Sequence, residues 1–149
     1  MVAQASPTHA LFELLQRMDT TCQKLEAVVL GEQQAVRQFD TAALIELTDI
    51  RHACHQELQN LEEKCRGIVR QYGVPDDLSL ETFIDVYLQD GAPKLQSLRR
   101  ELYQRLTNLN QSSEDSRLRL RAAYDVTSGV LQHIGLQTTK TTYGPGGAL

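Results

Sequence analysis

Two apolar runs between Leu11 and Tyr72 constrain this chain more than any other feature. In the first, Leu11, Leu15, Met18, Cys22, Leu25, Val29, Val36 and Phe39 recur in steps of four and three, with Glu32 at the one polar slot. In the second, Leu44, Leu47, Cys54, Leu58, Leu61, Cys65, Ile68 and Tyr72 repeat the pattern, with Arg51 at its polar slot. Such alternation is the a/d seam of a coiled-coil helix. When the runs are folded antiparallel about Asp40–Thr41, partner positions sum to a constant, 83, from Leu11 with Tyr72 to Phe39 with Leu44. Glu32 and Arg51 obey the same sum. The two polar residues are predicted to face each other in one layer, as an ion pair that fixes the hairpin's register. A slipped hairpin would set each charge against an apolar row.

Local signals bound the helices. Ser6-Pro7 reads as the N-cap and first residue of a helix reaching about Gln38, roughly 48 Å long. Gly31 lies inside it. It is either a tolerated neutral glycine or a gap that admits a long partner side chain. Asp40 is the next N-cap, with Phe39 and Leu44 spaced as a hydrophobic staple. The second helix runs over 41–71 and stops at Gly73 and Pro75. A short helix over 79–89, capped by Ser79, carries Leu80, Phe83, Ile84, Tyr87 and Leu88 on one face and should brace the bundle. The last helix covers 93–135, with Leu95, Leu98, Leu102, Leu106 and Leu109 as its seam. The polar stretch around Ser112-Ser113 invites a bend or break. If unbroken, this helix outruns the hairpin at roughly 63 Å. The fold class expected is all-α: an elongated antiparallel three-helix coiled-coil-like bundle, with a short extra helix between helices 2 and 3. One helical domain spans 1–136, and a flexible C-terminal tail spans 137–149.

Composition narrows the function. Aromatics are 5% and Trp is absent, so an aliphatic helical core is expected rather than a β-sandwich. No apolar run is long enough for a membrane span, and no signal peptide is visible. Three cysteines at seam positions cannot all pair in one chain; they read as small hydrophobes of a reducing cytosol. The net charge of −4 is uneven. Residues 1–90 hold seven Lys/Arg against fifteen Asp/Glu, and residues 91–149 hold eight against four. The halves should attract. Arg99, Arg100, Arg105, Arg117, Arg119 and Arg121 make the last helix basic, but they spread around the cylinder. They suit a solvated face or docking on the acidic hairpin, and nucleic acid is not implied.

Catalytic and metal chemistry find little support. His52, Cys54 and His55 are ordinary flanking residues of an amphipathic helix, and the nearest Glu-x-x-His analogue is a single Asp49-x-x-His52. No phosphate-cradling loop or nucleophile elbow is present, and no motif asks for a cofactor. The chain reads as a binder, not an enzyme. Its binding stripe would be Leu120, Ala123, Tyr124, Thr127, Val130, Leu131 and Ile134 on the last helix, suited to a partner helix or an oligomer contact. Tyr143 and Gly144, in a Gly-rich end, suit a short linear motif anchored by one ring, against the bland reading of an idle terminus.

The order of these parts resembles the FlgN family of flagellar export chaperones. The resemblance is carried by Leu25 through Glu32, Phe39-Asp40-Thr41-Ala42-Ala43-Leu44-Ile45-Glu46-Leu47 with Arg51, Leu102, Leu106, Leu109 and Asn110, and the ending Thr142-Tyr143-Gly144-Pro145-Gly146-Gly147. Ser113 departs from it, standing where the family often has a second Asn. The resemblance implies a cytosolic chaperone that binds the C-terminal helices of hook–filament junction proteins. It would prevent their premature association and deliver them to the flagellar type III export gate. On that reading the stripe from Leu120 to Ile134 holds the client, and Tyr143 with Gly144 docks on the gate. The chain would be a monomer or weak homodimer. The competing expectation, from another class, is a coiled-coil scaffold whose stripe closes a stable homo-oligomer.

Overall fold

The computed structural model describes residues 6–134, apart from the side chains of 116, 119, 120, 122–128, 131 and 132. Among the described residues every regular element is helical: α1 (Pro7–Gln38), α2 (Thr41–Arg70), α3 (Leu80–Tyr87), a 3₁₀ turn (Gln89–Gly91) and α4 (Ala92–Ile134). Together they form an all-α helical bundle. Each of the first three α-helices opens on a side-chain cap that satisfies an otherwise orphan amide. Ser6 Oγ accepts from the His9 amide (3.1 Å), Asp40 Oδ1 from Ala43 (3.0 Å) and Ser79 Oγ from Thr82 (3.1 Å).

The turn between α1 and α2 departs from expectation at Phe39. The Asp40 amide donates to the Ala35 carbonyl (2.8 Å) and the Phe39 amide to Val36 (3.2 Å). These paired bonds are a Schellman closure, which needs a left-handed residue at Phe39 (φ 53°). That conformation carries the ring out of the seam, and Phe39 is 76% exposed. Neither a seam position nor a staple against Leu44 survives, because closing the helix backbone took precedence over burying the ring.

The chain divides into two compact units, Met1–Ser113 and Glu114–Leu149, and α4 supplies residues to both. In the first unit α1 and α2 form an antiparallel hairpin. Its core joins Leu11, Leu15, Cys22, Leu25 and Val29 to Cys54, Leu61 and Cys65. The first part of α4 runs alongside α1 in the same direction: Gly91 lies against Thr8 with no room for a Cβ, Lys94 sits 4.6 Å over the Phe12 ring, and Arg105 reaches Asp19 and Glu26. Leu95, Leu102 and Leu109 of α4 join the core. No break occurs at Ser112-Ser113; α4 is continuous through them.

The short α3 braces the end of the first unit. Phe83, Ile84 and Leu88 are buried. The Phe83 ring meets Tyr72 edge-on at 5.0 Å and stacks on Tyr87 at 5.4 Å. Tyr87 belongs to the cluster yet keeps 43% exposure, so the buried face is narrower than the five-residue stripe expected. A polar clamp holds α3 to α4. Buried Gln96 donates to the Glu81 carbonyl (2.8 Å) and to Asp85 Oδ1 (2.9 Å), and its own oxygen accepts from Arg99 Nε (2.6 Å). Both ends of this amide are satisfied, as a buried polar group requires.

Candidate partner-binding surfaces

In the first unit a groove of about 510 Å³ lies between α2 and α4 beside α1. Leu15 and Met18 of α1 floor it, Cys65 and Val69 of α2 form one wall, Leu102 and Leu106 of α4 the other, and Leu78 and Leu80 close one end. Charges ring the mouth in neutral pairs: Arg66 with Glu62 (3.1 Å), Arg99 with Glu81 (3.6 Å) and Arg70 with Asp76 (3.8 Å). Tyr103 stands on the rim, 67% exposed. An apolar trough with a charged rim suits the apolar face of a helix. The alternation of residues in α4 did not announce it, since Leu102 and Leu106 read equally well as ordinary seam.

The polar layer of the hairpin lies nearby in sequence but apart from this groove. Arg51 Nε donates to Glu32 Oε2 (3.1 Å), and its Nη2 donates to Glu32 Oε1. Only 3% of the Glu32 side chain and 18% of that of Arg51 remain exposed. The structure therefore brings these two residues together as a bidentate pair in a nearly dry layer. His55, one turn on from Arg51, is held below the usual histidine range, first by burial, then by Arg51 and His52, against the opposing pull of Glu32.

The cysteines are buried and unpaired. Burial, with Asp19 and Glu26 beside it, pushes the Cys22 thiol up to about 11; burial, with Glu62, does the same for Cys65. Neither is a reactive thiolate at neutral pH. Among the described residues no three His, Cys, Asp or Glu side chains gather as a metal site, and His52, Cys54 and His55 form none. Two of the basic residues of α4 engage acidic partners in the first unit: Arg105 binds Asp19 and Glu26, both at 2.8 Å, and Arg99 binds Glu81. Arg117 pairs within its own helix, with Glu114 (3.3 Å).

Of the stripe on the far part of α4, Val130 (52% exposed) and Ile134 (67%) are open, as is neighbouring Leu118 (60%). The backbone places Leu120, Ala123, Tyr124, Thr127 and Leu131 on the same helix, and their side chains lie outside the described residues. Tyr143 and Gly144 lie outside them altogether.

A family profile described as FlgN protein matches residues 1–149, the whole chain. The chain belongs to the FlgN family. No curated protein and no solved structure matches it. Membership makes this a flagellar type III export chaperone, in a family of chaperones rather than enzymes, whose members bind flagellar export substrates. No described helix of this FlgN protein is long and apolar enough to cross a membrane.

One buried row escaped the seam pattern. Leu14, Thr21, Val28 and Ala35 of α1 are all buried and spaced by seven. The signal was in the sequence as a third row beside the a/d pair, apolar but for Thr21, whose hydroxyl bonds back to the Arg17 carbonyl, and it marks α1 as a helix that buries two sides.

Proposed function

We propose that this FlgN protein captures the C-terminal helical region of hook–filament junction proteins in the cytoplasm, keeps those regions from associating early, and hands them to the export gate. The client helix lays its apolar face along Leu120, Ala123, Tyr124, Thr127, Val130, Leu131 and Ile134. The observation that carries this reading is the exposure of Val130 and Ile134 on a helix that continues unbroken to Ile134. Each Leu-sized side chain buried on binding contributes about 1.5–3 kcal/mol before ordering costs. A handful of contacts then reaches micromolar affinity, about 8 kcal/mol. Tyr143 and Gly144 dock on the gate.

Calorimetry with a client C-terminal peptide tests the assignment. Removal of residues 120–149 abolishes binding while the hairpin stays helical by circular dichroism; retained binding refutes capture on this stripe. Tyr143→Ala leaves client affinity unchanged and lowers export. The open α2/α4 groove favours a second reading, in which the same client helix lies against Cys65, Val69, Leu102 and Leu106. Leu106→Asp would then weaken the peptide, while Val130→Asp would not.

A further inference from the structure

A hairpin of this kind has a register problem. Apart from the Glu32/Arg51 layer, the layers that sum to 83 pair one apolar residue with another. A slip by one heptad moves α2 by roughly 10 Å and re-pairs Leu, Val and Cys with residues of the same kind. The turn guards one alignment through its Schellman bonds and the Asp40 cap, but it does so with a phenylalanine in a conformation that favours glycine and its ring left in solvent. The seam itself can add a second guard.

We propose that four residues choose it: Gly31 and Glu32 on α1, and Leu47 and Arg51 on α2, acting as one steric and ionic lock. The ionic half is the bidentate pair between Arg51 and nearly dry Glu32. The steric half is one residue away. A Cβ on Gly31 would lie 3.1 Å from Leu47 Cδ1 and 3.2 Å from Cδ2, so the missing side chain is the notch that receives Leu47. Of the two readings of Gly31, a tolerated glycine and a gap for a long partner side chain, this close approach supports the second. Leu47 and Arg51 are one helical turn apart, so both halves engage along the same edge of α2.

Both halves fail together on slipping. One heptad in one direction sets Glu32 against Leu44, Arg51 against Leu25, and Leu47 against Lys24. The other direction sets Glu32 against Leu58, Arg51 against Phe39, and Leu47 against Gln38. Either strands the Glu32 carboxylate beside an apolar residue and replaces the notch by a longer side chain. The consequence reaches the far end of the hairpin. Tyr72 meets Phe83 at 5.0 Å in the correct register, and a heptad slip removes it from α3.

Two sets of variants test the lock. Arg51→Glu lowers the urea midpoint, and adding Glu32→Arg recovers at least half of the loss; no recovery overturns the ionic half. The triple variant Glu32→Leu, Arg51→Leu, Gly31→Ala has an all-apolar seam and stays helical even where single charge reversals do not fold. Its amide resonances in α2 split into two sets, the minor at about a tenth or more, and the Tyr72–Phe83 ring proximity falls in proportion. A single set of resonances, with Tyr72 against Phe83 as in the parent, overturns the lock as a whole.

Discussion

α1 and α2 are nearly equal in length, share one seam and turn into each other within two residues, yet they are buried very differently. α1 hides ten side chains and α2 only Cys54, Leu61 and Cys65. The cause lies in their neighbours. In the first unit α1 has α2 on one flank and the start of α4 on the other, so it buries the a/d seam and a further row. α2 packs on α1 along its seam, and its other edge borders the groove. The lesson is a division of labour within one hairpin: α1 carries stability, and α2 presents surface.

The layer formed by Leu25 and Leu58 gives the sharpest way to break that comparison. Leu25 is 3% exposed and Leu58 half-buried. Leu25→Ala should cost about 2–5 kcal/mol, from lost burial and the cavity left behind, and Leu58→Ala less than half as much. Equal losses in urea denaturation would mean that α2 is as central as α1. The flanking charges offer a smaller contrast. Arg105 ties Asp19 and Glu26 of α1 to α4, and Arg105→Ala should cost about 1 kcal/mol, discounted for partial exposure. Arg66 of α2 bonds to Glu62 one turn away on its own helix, and Arg66→Ala should leave the midpoint unchanged.

The turn that joins the two helices gives a gain in place of a loss. Phe39→Gly relieves the left-handed strain and surrenders no buried ring, so it should stabilise by about 0.5–1 kcal/mol, read as a raised thermal midpoint. The smallest effect concerns pH. His55 on α2 binds its proton less readily in the fold than in the unfolded chain. Its share of stability is complete above the unfolded value of 6.5 and is lost as pH falls from there through the folded value. His55→Gln should flatten that part of the pH–stability curve; an unchanged slope would assign it to other groups.

Much of this was legible residue by residue. Ser6, Asp40 and Ser79 declared the helix starts because only a short polar side chain can satisfy the first amides there. The meeting of Glu32 and Arg51 followed from one arithmetic constraint, since antiparallel helices with equal steps must pair by a constant sum. Phe39 was misread because periodicity counts its apolar ring and ignores the backbone demand that closes α1. The groove was hidden for a different reason: Val69 and Leu106 carry the same signature as the fully covered Cys65 and Leu102, yet stay half-buried. Periodicity marks which residues want burial, and only the arrangement of helices decides which receive it.

The central functional claim is that the client helix binds the far part of α4 while the hairpin stays as it is. Hydrogen–deuterium exchange of the full chain, with and without a client C-terminal peptide, tests it most directly. The account predicts added protection across residues 120–134 and unchanged exchange over Leu11–Tyr72. Protection confined to Cys65–Val69 and Leu102–Leu106, with none at 120–134, would contradict it.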